Sequence, residues 1–117
     1  MDYDDMTPKF CLAHIQQGFD VPSLLDDRAR ASFAAALQVR CTKKWRELKS
    51  ERRHGLGFEL MPKQQLRAPI PARFQDQERF MVFRYNGLLP MAGVRILDTF
   101  HVIWLEPKFG DLYDHGS

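Results

Sequence analysis

Cysteine is scarce in this chain, and its placement carries no pattern. Cys11 and Cys41 fit neither the repeated Cys and His spacing of a zinc module nor the crowded framework of a small secreted domain. Both are expected to be reduced, at least partly buried thiols. A disulfide between them stays open in principle, although a reducing compartment disfavours it. Long apolar runs are missing as well: no stretch approaches the roughly 18 residues of a membrane span. The acidic opening Met1-Asp2-Tyr3-Asp4-Asp5 is the opposite of the basic start of a secretion signal, so a cytoplasmic protein is expected. There is no Gly-rich phosphate loop, no nucleophile elbow and no pair of histidines a helical turn apart. His14, His54, His101 and His115 are scattered, and neither a metal nor a nucleotide cofactor is expected. Internal repeats and low-complexity tracts are absent too.

What remains is ordinary globular composition, 44% hydrophobic and 27% charged over 117 residues, enough for one domain over 1–117 with residues 1–8 flexible. Net charge is only +2, but it is unevenly spread. Residues 40 to 84 hold twelve Lys or Arg against five Asp or Glu, a local balance of +7. Such a basic midsection can steer a protein towards nucleic acid or towards an acidic protein surface; it is also what a solvated helix face looks like.

The hydrophobic pattern predicts an α+β fold. Two N-terminal helices pack on one face of a small antiparallel sheet that ends in a three-strand meander. The strands of the meander are Phe80 to Tyr85, Ala92 to Ile96 and Phe100 to Leu105, with Asn86-Gly87 and Leu97-Asp98-Thr99 at the corners. In the last strand Phe100, Val102 and Trp104 alternate with His101, Ile103 and Leu105, so both faces are apolar and the strand is expected to be central. Earlier, Lys9 to Ile15 reads as a short strand closed by Gln16-Gln17-Gly18. A helix follows, opened by Pro22-Ser23 with Ser23 as cap and Asp26 and Asp27 in its first turn. Its apolar stripe is Leu25, Ala29, Phe33 and Leu37, with Leu24 and Ala36 alongside. Thr42 is a second possible cap, giving two helices or one bent near Cys41, and Gly55 suits the left-handed residue that ends a helix. Leu56 to Leu60 reads as a strand, followed by an irregular segment containing Pro62, Pro69 and Pro71.

Chemistry-bearing side chains suited to RNA are present: cations to hold phosphate and groups able to move protons. Arg52, Arg53, Arg84, Arg95, His101, Tyr113 and His115 supply those types. The plainer account makes the arginines surface groups, His101 a satisfied sheet residue and Tyr113 an anchor for the C-terminal segment.

The order of elements, length and basic character resemble the architecture of the RelE and ParE superfamily of bacterial toxins. The segments His54-Gly55-Leu56-Gly57-Phe58-Glu59, Phe83-Arg84-Tyr85, Pro90-Met91, Phe100-His101-Val102-Ile103-Trp104 and Leu112-Tyr113-Asp114-His115 resemble the SocB-like toxins more closely. That resemblance implies the toxin of a toxin–antitoxin pair. Its antitoxin delivers it to the ClpXP protease, and it inhibits DNA replication elongation by occupying the bacterial β sliding clamp, without catalysis. Clamp ligands are short extended peptides of the pattern Gln-Leu-x-Leu-x-Phe. Leu56 and Phe58 match the last two anchors, whereas Arg53 and His54 stand where Gln and Leu are expected. Gln65-Leu66 offers the leading pair, with Ala68 and Ile70 behind it. The partner-binding candidates are therefore Leu56, Phe58, Arg53, Gln65 and Leu66. A RelE-type mRNA endoribonuclease is the enzymatic alternative, with Arg84 or Arg95 holding phosphate and Tyr113 or His115 moving protons. A nonspecific nucleic-acid binding module, with Trp45, Phe58 and Phe74 among the basic residues, is a third.

Overall fold

The computed structural model describes residues 2–53 and 55–116, so His54 lies outside the described residues. The chain runs β1 (Lys9–Cys11), α1 (Asp27–Arg40), α2 (Trp45–Ser50), β2 (Glu59–Pro62), β3 (Arg79–Asn86), β4 (Leu89–Ile96) and β5 (Thr99–Leu105). The sheet order is β1-β5-β4-β3-β2. β2 to β5 form an antiparallel meander, but β1 pairs parallel with β5, Phe10 opposite Phe100. The expected α+β class holds, with two corrections. The sheet is mixed, and the helices follow the first strand instead of opening the chain. The crossover through α1 and α2 is what permits the parallel pairing, because parallel neighbours need a connection of a dozen residues or more. No helix among the described residues is long and apolar enough to cross a membrane.

The helix starts where its carboxylates can cap it. Asp26, not Ser23, is the cap of α1, its Oδ1 accepting from the Ala29 amide at 2.8 Å. Ser23 sits in a preceding 3-10 turn and donates to Asp20. Ala29, Phe33, Ala36 and Arg40 form the buried stripe of α1; Leu24 is buried beside it while Leu25 is 62% exposed. The bend near Cys41 is a full break. Cys41 is exposed there, and Thr42 donates to the Val39 carbonyl instead of capping. α2 begins after Lys44, whose amide donates to Glu47, and Trp45 is tied back to the Met6 carbonyl. Glu51 ends that helix in extended conformation, before Gly55 is reached.

The sheet has an apolar core on each face. Against α1 and α2 lie Met81, Phe83, Tyr85, Met91, Phe100, Val102 and Leu105, with Trp45, Leu48 and Phe33 from the helices. The other face carries Met61, Phe80, Val82, Ala92, Val94, Ile103 and Trp104. It is covered by Phe74, Leu66 and Ile70 from the proline-bearing segment and by Leu112 and Tyr113 from the C-terminal segment. Strict alternation in β5 fails at Ile103. Gly93 faces Val102 but Ala92 faces Trp104, so two residues of β5 oppose one step of β4, and Trp104 turns to the same side as Ile103. Gly93 is needed at this bulge, because a Cβ there would sit 1.8 Å from the His101 carbonyl oxygen. β5 is interior, between β1 and β4, and β4 occupies the middle of the sheet.

The short strands also shift. β1 stops at Cys11, and the strand expected from Leu56 is Glu59–Pro62, leaving Leu56, Gly57 and Phe58 before it. The opening residues, expected to be flexible, form a 3-10 turn at Tyr3–Asp5. Asp2 and Asp5 pair with Arg46, and Asp4 pairs with Lys49 and Arg95.

Candidate functional site

The C-terminal segment after β5 builds a cavity at the β2 side of the sheet. Glu106 directly follows the strand; its amide donates to the Pro90 carbonyl, and its own carbonyl accepts from the Tyr85 hydroxyl at 2.6 Å. The chain then turns through Gly110 at φ +97. Arg67 holds that turn from the proline-bearing segment, its Nη1 donating to the Gly110 carbonyl at 2.8 Å and its amide to the Leu112 carbonyl at 2.7 Å. Tyr113 and Leu66 form an isolated antiparallel bridge. The segment is thus part of the core, with Leu112 fully buried and Tyr113 nearly so.

A cavity of about 470 Å³ opens between this segment and the β2 edge. Arg53, Glu59, Gln65, Arg84, Phe109, Tyr113 and His115 line it, and the Asp114 carboxylate-bearing residue is on its exposed rim. Alternation on β3 places Arg84 on the same face as Phe80 and Val82, which aims it at the C-terminal segment. Its guanidinium donates to Glu59 Oε1 at 2.8 Å, to the Tyr113 hydroxyl at 3.0 Å and to the Leu88 carbonyl at 3.1 Å. The other Glu59 oxygen accepts from Arg53 at 2.8 Å. One carboxylate thereby orients two guanidiniums at the cavity edge.

Burial pushes the Tyr113 phenol above its ordinary value, and the Arg84 guanidinium only partly offsets this. Because Arg84 donates to the phenol oxygen, the hydroxyl proton is left to be given elsewhere. His115 is held from three sides. Its Nε2 lies 2.8 Å from Glu106 Oε1, and its ring stacks on Phe109 at 3.8 Å and on Tyr113 at 4.2 Å. The side chains of Glu106 and His115 are 0% and 7% exposed. The second Glu106 oxygen accepts from the Leu112 amide at 2.9 Å. In the tautomer that carries its hydrogen on Nε2, the ring donates to Glu106 and leaves Nδ1 as an acceptor.

The structure brings together Arg84, Tyr113 and His115, together with Arg53 and Gln65. It separates the remaining candidates. Arg95 lies on the helix-side face, over the Trp45 ring at 4.2 Å and bonded to Asp4 at 2.8 Å. His101 belongs to a second cluster with His14, Phe74 and Arg73, and its Nδ1 is buried with no hydrogen-bond partner among the described residues. Arg52 is exposed, its carbonyl accepting from Gly55 and Gly57. Leu56 and Phe58 are half-buried against the helix-side core, Phe58 edge-on to Phe83 at 5.6 Å between ring centres. Leu66 packs on the opposite core, whereas Gln65 is exposed. Trp45 and Phe74 are buried, so neither offers a stacking face.

Sequence reasoning missed Glu59, Glu106 and Phe109. Glu59 alternates with Leu60 in a short edge strand, and no motif marks it. Glu106 follows an apolar strand, and only its position just past Leu105 hints that it is drawn inside. Among the described residues no group of three or more His, Cys, Asp or Glu is placed to hold a metal ion. Compared with models of protein families, with curated proteins and with solved structures, the chain has no significant match in any of the three.

Proposed function

We propose that this protein cleaves RNA at the cavity beside β2, as an endoribonuclease toxin of the RelE kind. The observation that carries the reading is the convergence of Arg84, Tyr113 and His115 on one cavity, His115 being held there by the buried Glu106. Cutting RNA without a metal needs a base for the 2′-hydroxyl, an acid for the leaving 5′-oxygen and positive charge beside the phosphate. His115 Nδ1 takes the 2′-hydroxyl proton, and the 2′-oxygen forms a bond to phosphorus. The bond from phosphorus to the 5′-oxygen breaks, and Tyr113 gives that oxygen its proton. Arg84 and Arg53, turned towards the same edge by Glu59, stabilise the charge that builds on the phosphoryl oxygens. The products are a 2′,3′-cyclic phosphate and a 5′-hydroxyl.

The experiment is cleavage of mRNA on translating ribosomes and of protein-free RNA by the purified protein, Tyr113→Phe and His115→Gln. Cleavage with those two ends is expected, falling about 10²- to 10⁴-fold in each variant. A wild-type protein that is folded by circular dichroism and cuts neither substrate would overturn the reading.

The second reading is a binding toxin that occupies the β sliding clamp, with a protease-adaptor antitoxin and ClpXP as further partners. It is supported by the resemblance of the sequence to SocB-like toxins and by the exposure of Gln65 at the head of the Gln-Leu pair. Leu56 and Phe58 serve it only if residues 55–58 detach from the helix-side core, because both pack against it. Capture of the clamp by the folded protein, lost in Gln65→Ala and retained in Tyr113→Phe, would favour this reading over cleavage.

A further inference from the structure

Phe109 is the one large aromatic side chain among the described residues that is both on the cavity wall and mostly exposed, at 55%. Its ring lies nearly parallel to His115, 23° between planes, and His115 lies nearly parallel to Tyr113, at 29°. The three rings make a ladder whose inner rungs are buried and whose outer rung faces solvent. The ladder is rigid: Tyr113 is bridged to Leu66, His115 is held by Glu106, and the turn bearing Phe109 is tied by the Asp111 amide to the Lys108 carbonyl and by Arg67 to Gly110.

An exposed ring that merely filled space would not need fixing in this way. Held flat over an imidazole, it continues as one more layer of a stack. A planar π-system laid on its open side meets a preformed surface and costs little ordering. The guanidiniums of Arg53 and Arg84 along the same cavity supply positive charge for the phosphate attached to such a ring. The occupant that combines a flat aromatic face with an anionic backbone is a nucleotide of single-stranded RNA. Stacking of bases on aromatic side chains is sequence-tolerant, since every base has a π-face.

We propose that Phe109 is a stacking platform for a nucleobase next to the phosphate held at Arg84, which makes single-stranded RNA the substrate class and leaves paired RNA excluded from the cavity. This rests on the RNA-cleaving reading of the same site. Phe109 positions the strand; proton transfer belongs to His115 and Tyr113.

The experiment is equilibrium binding of a short fluorescent single-stranded RNA, 2′-O-methylated throughout so that it cannot be cut, to the wild-type protein, Phe109→Ala and Phe109→Trp. A duplex of the same sequence is the comparison ligand. Phe109→Ala is expected to weaken single-strand binding about 5- to 100-fold. Phe109→Trp is expected to restore it and to add a fluorescence quenched by the oligonucleotide but not by the duplex. Thermal melting of each variant shows that the fold is kept. If wild type binds the single strand and Phe109→Ala binds it equally well, or if the duplex binds as tightly, the platform is overturned while the RNA-cleaving reading stands. If wild type neither binds the oligonucleotide nor cuts unmodified RNA, the RNA-cleaving reading fails and the platform fails with it.

Discussion

Arg40 shows how much one side chain can organise. It is 2% exposed, lies 4.9 Å from the Phe83 ring centre, and has no carboxylate partner among the described residues. Its guanidinium donates instead to the carbonyls of Ala36, Gly55, Leu56 and Arg84, joining α1, the segment before β2 and strand β3. Burial pulls its pKa down to about 10, so it stays charged at neutral pH and the carbonyl dipoles solvate it. Arg40→Ala leaves those acceptors without their donor, and a loss of about 1–3 kcal/mol in urea unfolding is expected. His101 gives a pH signature. Burial, then Arg73, then His14 hold its pKa below the ordinary 6.5. The unfolded chain therefore takes up the proton first as pH falls. The contribution of His101 to stability is complete above about pH 6.5 and is lost as pH drops through the folded value. Melting temperature is expected to fall between pH 7 and 5 in the wild type, and less steeply in His101→Gln. A wild type and variant with parallel profiles would contradict this.

At the scale of elements, local chemistry and tertiary packing can be told apart. The start of α1 is a local matter: Asp26→Ala removes the acceptor for the Ala29 amide, and a loss of about 1 kcal/mol is expected. Ser23→Ala, one 3-10 turn earlier, touches no helix amide and is expected to change stability by less than half of that in the same denaturation measurement. The meander was legible for similar reasons, because Asn86-Gly87 marks a turn and the strands around it carry β-branched and aromatic residues at period two. β2 was legible only to within three residues. Leu56 and Phe58 continue the apolar alternation, but the Arg52 carbonyl and the Arg40 guanidinium hold the backbone at 55–57 out of the ladder. The bulge at Ile103 left no mark in the pattern of β5; only Gly93 across from it did.

At the scale of the whole molecule, the C-terminal segment completes both the second core and the cavity. Leu112 is fully buried between the sheet and the proline-bearing segment, and Tyr113 and His115 follow it directly. Leu112→Ala is expected to cost about 2–5 kcal/mol and to remove cleavage together with stability. Tyr113→Phe, which keeps the ring and loses only the hydroxyl, is expected to reduce cleavage with little change in melting temperature. Equal loss of stability in the two variants would make Tyr113 an anchor and nothing more. The separation of Arg84 from Arg95 is also a whole-molecule result. Both lie in meander strands, yet strand alternation sends one to the cavity and the other under the N-terminal acidic turn.

The sequence by itself determined what short-range physics governs: the class of fold, the three strands of the meander, a helix led by carboxylates, and the types of side chain available for acid, base and phosphate. Only the tertiary structure decided the parallel pairing of β1 with β5, the half-burial of Phe58 against the helix-side core, and the meeting of Glu59, Arg84, Glu106, Tyr113 and His115. Those outcomes depend on groups tens of residues apart along the chain, whose proximity is created by the sheet register and by the segment that folds back across it, and no local periodicity encodes either.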